Sequence, residues 1–204
     1  RYHCVTGVQT CALPIFMTML NQEMQNNSGQ TFIVLDERVI KRTNSKGYHK
    51  QLLVQFKDTG TTKWVYRENA TKGKVNDPYA VSVYGLGYTG EADRNIPYYK
   101  QAKQLWRNMM KRCYSTKDTK GYYGFAFVCN RWHCFENFIN DLPQLENFDL
   151  WLSKENGNYN LDKDKYGDGK YYSKDNCCFI TEHENKSLGG KADLSRYKRT
   201  LLNK

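Results

Sequence analysis

The segment from Asn160 to Asn185 holds the side chains best suited to chemistry, and it reads NLDKDKYGDGKYYSKDNCCFITEHEN. Its donors are carboxylates, side-chain amides and one imidazole. Asp162 and Asp164 are two residues apart, so in an extended strand they face the same side. A charged turn without a metal has the same pattern, so this spacing alone leaves the chemistry open.

Two short strands and a helix must position these side chains. The pattern predicts strands at 159–161 and 177–180, separated by a charged loop that contains Gly167 and Gly169. A helix is predicted to begin near Thr181, because Thr181 and Glu184 have the spacing of a capping box. Strand, loop, strand and helix is the element order of a ββα metal finger.

The cysteines form a second possible metal site. The residues able to bind zinc are Cys113, Cys129 and Cys177, with Cys134, Cys178 or His133 as a fourth ligand. The sequence has no C-x-x-C pair, and four residues separate Cys129 from Cys134. Buried thiols are therefore favoured over structural zinc, since free Cys is among the most buried residue types.

A basic amphipathic helix is predicted at 98–113. Its apolar residues share one face, and they are Tyr98, Ala102, Leu105, Trp106, Met109 and Cys113. Its basic residues lie largely off that face, and they are Lys100, Lys103, Arg107, Lys111 and Arg112. A solvated basic face and a phosphate-binding face are both compatible with this pattern.

The residues before this helix predict a separate β-rich module at 17–95. Strands are expected at 31–35, 51–56 and 63–66, in a small sheet or barrel, followed by an irregular connector. The connector contains Gly85, Gly87 and Gly90 in the order G-x-G-x-x-G. A dinucleotide site is not favoured, because no helix is predicted to begin there.

The residues after the helix complete an α+β fold. A strand is expected at 122–129, a helix at 131–142 that ends before Pro143, and a loose segment at 148–152. The predicted architecture is thus an N-terminal β-rich module, a helix, a strand–helix element and a ββα part. Residues 96–188 form the second domain, and 189–204 form a basic tail.

These motifs resemble the phage-type HNH homing-endonuclease-like family of the His-Me finger superfamily. The matching pieces are Leu161-Asp-Lys-Asp164, the turn Tyr172-Ser-Lys-Asp-Asn-Cys177 and Thr181-Glu-His-Glu-Asn185. Upstream pieces are Trp106-Arg-Asn-Met109 with Arg112-Cys-Tyr114, and Val128-Cys-Asn-Arg-Trp132 with Phe135 and Phe138. The resemblance covers about residues 98–188.

The resemblance implies site residues and a cofactor. Asp162 and Asn185 would ligate one Mg²⁺ or Mn²⁺ ion, and Asn176 would fix the loop between the strands. Lys163 occupies the position of the family's catalytic histidine, and a lysine of ordinary pKa is a poor general base. His183 lies about 200° around the helix from Asn185, which makes it a doubtful replacement.

The implied partner is DNA. The first hypothesis is a metal-dependent DNA endonuclease, and the alternative is a DNA-binding protein that keeps the scaffold without cleavage; a protein-interaction module is the third. Beside the helix cations, Arg131 and Lys170 are expected to contact phosphate. Lys163 could instead hold a phosphate in an inactive finger.

Residues 1–16 are expected to be foreign to the protein, because residues 5–15 match a translated short-read sequencing adapter. Over all 204 residues the net charge is +10, of which residues 96–204 carry +6. Without the first segment five cysteines remain, an odd number that favours a reducing cytoplasm. The strongly negative mean hydropathy of −0.81 argues against a membrane span.

Overall fold

The computed structural model describes residues 18–41, 43, 47–117, 124–154, 157–167 and 169–189. The chain divides into two compact units, with the boundary between Asp77 and Pro78. Helices and strands are mixed, which confirms the α+β class. The predicted foreign segment at 1–16 and the tail from residue 190 lie outside the described residues.

The first unit is a four-stranded antiparallel sheet whose strands are adjacent in space in their sequence order. Its elements are β1 (Glu23–Gln25), β2 (Thr31–Lys41), β3 (Tyr48–Phe56), β4 (Thr62–Tyr66) and helix α1 (Arg67–Thr71). The three predicted strands are present, and β1 is an addition at the edge. Because β1 and β4 are the two edges, the described residues form an open sheet and not a barrel.

One face of this sheet packs against a small core. The buried residues alternate along the strands and pair across them, as Phe32 does with Phe56 and Val34 with Val54. Ala70 of α1 belongs to the same cluster. The register shifts between Val34 and Asp36, so the second half of β2 continues with a changed pairing to β3.

The second unit contains the remaining elements. They are α2 (Tyr99–Tyr114), β5 (Phe127–Val128), α3 (Asn130–His133), α4 (Phe135–Asp141), a 3₁₀ helix (Leu142–Gln144), α5 (Phe148–Ser153), β6 (Tyr159–Asp162), β7 (Tyr171–Tyr172), β8 (Cys178–Thr181) and α6 (Glu182–Gly189). Strand β5 pairs parallel with β7, and β6 pairs antiparallel with β8. The strand expected at 122–129 is only two residues long, and 122 and 123 lie outside the described residues.

Helix α2 is the centre of this unit's core. Its buried residues are Ala102, Trp106, Met109, Met110 and Cys113. The indole Nε1 of Trp106 donates a 2.7 Å hydrogen bond to the carbonyl of Trp132, and both rings are fully buried. The predicted amphipathic helix is therefore present, shifted by one residue at each end.

The helix predicted at 131–142 is interrupted, which corrects the sequence prediction. Cys134 is extended (φ −84°, ψ 119°), and it separates α3 from α4. Tyr88 causes the break, because its amide donates to the carbonyl of His133 and its carbonyl accepts from the amide of Phe135. The two hydrogen bonds with Tyr88 thus replace two that a continuous helix would form within itself.

The glycines of the connector serve packing, as their surroundings show. A Cβ atom at Gly87 would lie 3.0 Å from atoms of Trp106 and Met110. Gly90 has φ +61°, and a Cβ there would lie 2.7 Å from Cβ of Glu136. The residues that crowd both glycines lie in the second unit, and the connector at 78–95 belongs to that unit.

The ββα arrangement is formed at the end of the chain. Tyr159 pairs with Thr181 and Asp162 pairs with Cys178, and α6 packs against both β6 and β8. The capping box is present, because the Glu184 carboxylate accepts from the amide and hydroxyl of Thr181 while the Glu184 amide donates to Thr181 Oγ1. The loose segment expected at 148–152 is helix α5.

Among the helices of the described residues, none combines the length and apolar character that a bilayer crossing requires.

Candidate functional site

Asp162 lies at the end of β6, where the chain enters the charged loop. Its side chain is buried, with 4% of the residue exposed, and its Oδ2 accepts hydrogen bonds from the amides of Asp164 and Lys165 at 2.9 and 2.8 Å. The carboxylate therefore closes the first turn of the loop, as aspartates commonly do. Both bonds use one oxygen, so as far as the described residues go, Oδ1 is the oxygen left to contact a cation.

Lys163 is buried beside Asp162, with only 4% of the residue exposed. Its ammonium donates a 2.7 Å bond to Asp164 Oδ1 and lies 5.6 Å from the ring centroid of Tyr172. An ion-paired ammonium has no lone pair with which to accept a proton. The structure thus places a buried, engaged cation at residue 163.

Asn176 lies between β7 and β8 and connects the two sides of the loop. Its amide donates to Ser173 Oγ at 3.3 Å, and its Nδ2 donates to the carbonyl of Tyr171 at 3.4 Å. A Cβ at Gly167 would lie 3.1 Å from Cγ of Asn176. The loop between the strands therefore passes directly over the Asn176 side chain.

Asn185 lies one turn into α6 and is half-buried, whereas His183 is exposed. Within the described part of the chain, the Asn185 amide makes no side-chain hydrogen bond, so its oxygen is available as a ligand. This difference in burial agrees with the prediction that the two side chains point to opposite sides of α6.

The donor set at this hairpin is small. Among the described residues, no three His, Cys, Asp or Glu side chains form a group able to hold a metal ion. Asp162 and Asn185 each carry an oxygen donor of the kind that Mg²⁺ or Mn²⁺ takes, and such ions retain several waters and take phosphate oxygens as further ligands. The donors suit a hard cation and do not suit a cation that needs a complete protein shell.

Helix α2 carries five cations and no acidic residue. Lys100, Arg107 and Lys111 are exposed, and their spacing of seven and four residues places them within about 40° of one another around the helix. This stripe lies opposite the buried Trp106 face and extends about 16 Å along the axis. Arg112 is also exposed, toward one side of the stripe.

Two further residues that are predicted to contact phosphate, Lys103 and Lys170, lie outside this stripe. Lys103 is half-buried, with its ammonium 5.5 Å from the ring centroid of Tyr99 and 5.7 Å from that of Phe135. Lys170 is exposed just before β7, and its carbonyl accepts from the amide of Phe127. Lys103 thus contributes to packing, while Lys170 presents its charge at the surface.

Arg131 forms a two-bond ion pair with Asp141, a residue the sequence did not single out. Nε donates to Oδ2 at 2.8 Å and Nη2 donates to Oδ1 at 2.9 Å, while Trp132 Nε1 donates to Oδ2 at 2.9 Å. Burial alone would raise the pKa of Asp141, but these hydrogen bonds more than offset it and hold the pKa below its usual value. The spacing of Arg131 and Asp141 across a helix break gives no sequence signal for this pair.

The cysteines lie in the core of the second unit, and four of the five described are buried. Burial raises the pKa of the Cys113 and Cys178 thiols to about 11 and raises that of Cys177 further. The charge of Lys163 opposes this effect at Cys113 only in part. In the metal-free protein, burial therefore favours the protonated thiols over the thiolates.

Comparison of the chain with protein-family models, with curated proteins and with solved structures gives no significant match in any of the three. The HNH-like family resemblance stays a prediction from the motifs.

Proposed function

We propose that this protein binds duplex DNA through the exposed stripe of α2. The observation that carries the proposal is the charge of that helix, which has five cations and no acidic residue. Three of the cations share one solvent-facing stripe on a rigidly packed helix. The ββα hairpin in the same unit, and its likeness to a family that acts on DNA, favour DNA over other polyanions.

The dimensions of the stripe fit several phosphate contacts. Duplex DNA carries one charge per about 1.7 Å of axis, so a stripe about 16 Å long spans many phosphates. An α-helix also fits the width of the major groove. Each phosphate neutralised contributes about −0.9 to the slope of log affinity against log salt concentration.

The test is a salt titration of DNA binding by the full chain. Fluorescence anisotropy with a labelled duplex should give an affinity that falls steeply between about 50 and 200 mM salt. The variant Arg107→Gln/Lys111→Gln should make the slope shallower by about 2, since two contacts are removed.

The matched control is Lys72→Gln/Lys74→Gln, which removes the same charge from exposed positions in the first unit. It should leave the slope unchanged within about half a unit. Absence of DNA binding by the wild type, or an equal loss in the control, would show that the α2 stripe is not the binding site.

Metal-dependent cleavage of the bound DNA is a second candidate, favoured by the arrangement of Asp162. The carboxylate is buried and fixed through Oδ2. Within the described ranges, no side chain shares its Oδ1, and none uses the amide of Asn185, which lies on the helix that packs on the same hairpin. A bound Mg²⁺ or Mn²⁺ ion would supply stabilisation of the charge that develops on a scissile phosphate. Lys163 would contribute charge and not proton abstraction, because it is paired with Asp164.

Cleavage is tested with supercoiled plasmid and either metal. If this candidate holds, the wild type nicks the plasmid, whereas Asp162→Asn and Asn185→Ala bind the duplex but do not nick it. A rise in Tm with Mn²⁺ that both variants lose gives a readout independent of activity. Binding by the wild type without any nicking would support the inactive scaffold and reject the nuclease.

A further inference from the structure

Two aromatic rings lie side by side at the surface of the second unit. Phe127 of β5 and Tyr171 of β7 are partners across the parallel strand pair, and their ring centroids are 5.6 Å apart. The next residue along each strand, Val128 or Tyr172, is buried in the core. Phe127 and Tyr171 themselves are 38% and 47% exposed, so two neighbouring rings face solvent. We call Phe127 and Tyr171 the aromatic pair.

The backbone around the aromatic pair is held in place by hydrogen bonds. The amide of Phe127 donates a 2.7 Å bond to the carbonyl of Lys170, and the amide of Cys129 donates a 2.9 Å bond to the carbonyl of Tyr172. These bonds lie on either side of the pair of buried side chains that anchor the two strands in the core. A surface that is ordered before binding loses less entropy when a ligand covers it.

The aromatic pair lies beyond the C-terminal end of the exposed stripe of α2. Tyr114, the last residue of the helix, is within about 20° of Arg107 around the axis and about 4.5 Å beyond Lys111 along it. The Tyr114 hydroxyl accepts a 2.8 Å hydrogen bond from the amide of Val128, the residue after Phe127. A nucleic acid strand that follows the stripe to this end of the helix would therefore arrive at the aromatic pair.

The segments that carry the two rings and the adjoining end of α2 are basic. They contain five exposed Lys and Arg residues and no Asp or Glu, and they are 107–117, 124–130 and 169–172. One of the five, Lys170, directly precedes Tyr171. Beyond these segments the charge is more balanced, because Arg131 is paired with Asp141 and Lys174 is followed by the exposed Asp175. The cations thus lie on the side of the aromatic pair that adjoins α2.

Exposed rings beside cations are the usual composition of a surface that binds single-stranded nucleic acid. Cations hold the backbone, while each base presents a flat face that stacks on an aromatic ring. A base within a duplex is already stacked on its neighbours, so the base that covers an aromatic ring of the protein must be unpaired. The α2 stripe fits duplex phosphates, and the rings at its end fit bases that have left the duplex.

We infer that the aromatic pair stacks with an unpaired base, and that the DNA bound by this unit is a duplex adjoining a single-stranded stretch. This inference rests on the proposed function and deepens it by naming the class of DNA. The α2 stripe holds the phosphates of the duplex, and Phe127 and Tyr171 hold the first unpaired bases.

The experiment compares three labelled DNAs in anisotropy titrations of the full chain at one salt concentration. They are a blunt duplex, the same duplex with a single-stranded tail of about eight thymidines, and the same duplex with a tail of abasic sites. The wild type should bind the thymidine tail about tenfold more tightly than the blunt duplex, because stacked bases add affinity. The abasic tail keeps the added phosphates but has no bases, so most of this gain should be lost.

Three variants assign the gain to the rings. Phe127→Leu/Tyr171→Leu keeps apolar side chains at both positions and removes both rings, so it should lose the gain. Its affinity for the blunt duplex and its salt slope should be unchanged. Tyr171→Phe keeps the ring and should behave as the wild type does. Tyr48→Leu removes an exposed ring from the first unit, and this matched control should retain the gain.

Three outcomes would overturn the inference: no gain from the thymidine tail, equal binding of the thymidine and abasic tails by the wild type, or the same gain in Phe127→Leu/Tyr171→Leu. The first two need no variant, so they decide the question even if the double variant is unstable. Absence of binding to every DNA would overturn this inference and the proposed function together.

A free single-stranded oligonucleotide distinguishes the failure of one proposal from the failure of the other. If the blunt duplex is not bound but the oligonucleotide is, and Phe127→Leu/Tyr171→Leu loses that binding, the stacking site stands and the proposed function fails. If the blunt duplex is bound with a steep salt dependence and neither the tail nor the oligonucleotide depends on the rings, the proposed function stands and the stacking site fails.

Discussion

The ammonium group of Lys163 donates a 2.7 Å hydrogen bond to the carboxylate of Asp164, its neighbour in sequence, inside a loop that buries 95% of the lysine side chain. The Asp164 side chain is 25% exposed. The two opposite charges compensate each other inside the loop. It also explains why a lysine is tolerated in the interior, since buried charges require a partner.

The contributions of Lys163 and Asp164 to the free energy of unfolding should depend on each other. Lys163→Met leaves the Asp164 carboxylate without its partner and should lower the free energy of unfolding by about 1–3 kcal/mol. Asp164→Asn should cost a similar amount, and the double variant should cost less than the two together. Urea unfolding of the four proteins measures the coupling. Additive costs would mean that the two side chains stabilise the fold independently.

The Arg131–Asp141 pair should make stability depend on pH. The folded-state pKa of Asp141 lies below its ordinary value of 3.8, because the hydrogen bonds from Arg131 and Trp132 outweigh burial. A lowered pKa contributes stability that is fully present above about pH 5 and is lost as the pH falls through 3.8 toward the folded-state pKa. Asp141→Asn should therefore cost about 2 kcal/mol at pH 7 and progressively less at pH 4 and pH 3.

The control for this effect is Asp149→Asn, at an acidic residue in the first turn of α5. Its cost in urea unfolding at the same three pH values should stay below about 1 kcal/mol. If the cost of Asp141→Asn is the same at pH 3 as at pH 7, the ion pair is not the source of the pH dependence.

Gly90 should tolerate a side chain much less well than Gly124. Both have positive φ, +61° and +80°, so Ala carries a similar backbone cost of about 1–2 kcal/mol at either position. A Cβ at Gly90 also meets Glu136 and Cys134, whereas a Cβ at Gly124 meets nothing within 4 Å in the described part of the chain. Gly90→Ala should therefore lower the unfolding free energy by about 1–3 kcal/mol more than Gly124→Ala.

Thermal unfolding of the two glycine variants measures this difference directly. Equal losses would indicate that the connector adjusts around the new methyl group, and that close packing is not the reason for glycine at residue 90.

The buried thiols should react slowly with Ellman's reagent in the folded protein. With the pKa of Cys113 and Cys178 raised from 9.0 to about 11, the thiolate fraction at pH 8 falls about a hundredfold. In a Cys4→Ser/Cys11→Ser background, the half-buried Cys129 should react before Cys113 and Cys178, and all should react in guanidinium. Rapid reaction of every thiol, or stoichiometric zinc in the purified protein, would contradict the buried-thiol interpretation.

Short-range sequence patterns predict the helices and strands of this protein, but they do not predict where a helix is interrupted. The apolar stripe of α2 and the capping box at Thr181 are properties of residues three and four apart, so they are legible in the sequence. The break at Cys134 is not legible, because it depends on hydrogen bonds from Tyr88, more than forty residues earlier. The reason for glycine at Gly87 and Gly90 is also not legible in the sequence, because the atoms that crowd them belong to residues on or beside α2 and α4, which are distant in sequence.

The sequence by itself determined which residues are charged, and the tertiary structure decided which charges are available. Lys100, Arg107, Lys111 and Lys163 are all cations in the second unit, yet the first three are exposed and the last is buried against Asp164. Arg131, which is expected to contact phosphate, is paired with Asp141, while 56% of its side chain stays exposed. Only the packed structure distinguishes exposed from buried cations. The partner of a buried charge is brought to it by tertiary contacts, and composition and periodicity do not specify those contacts.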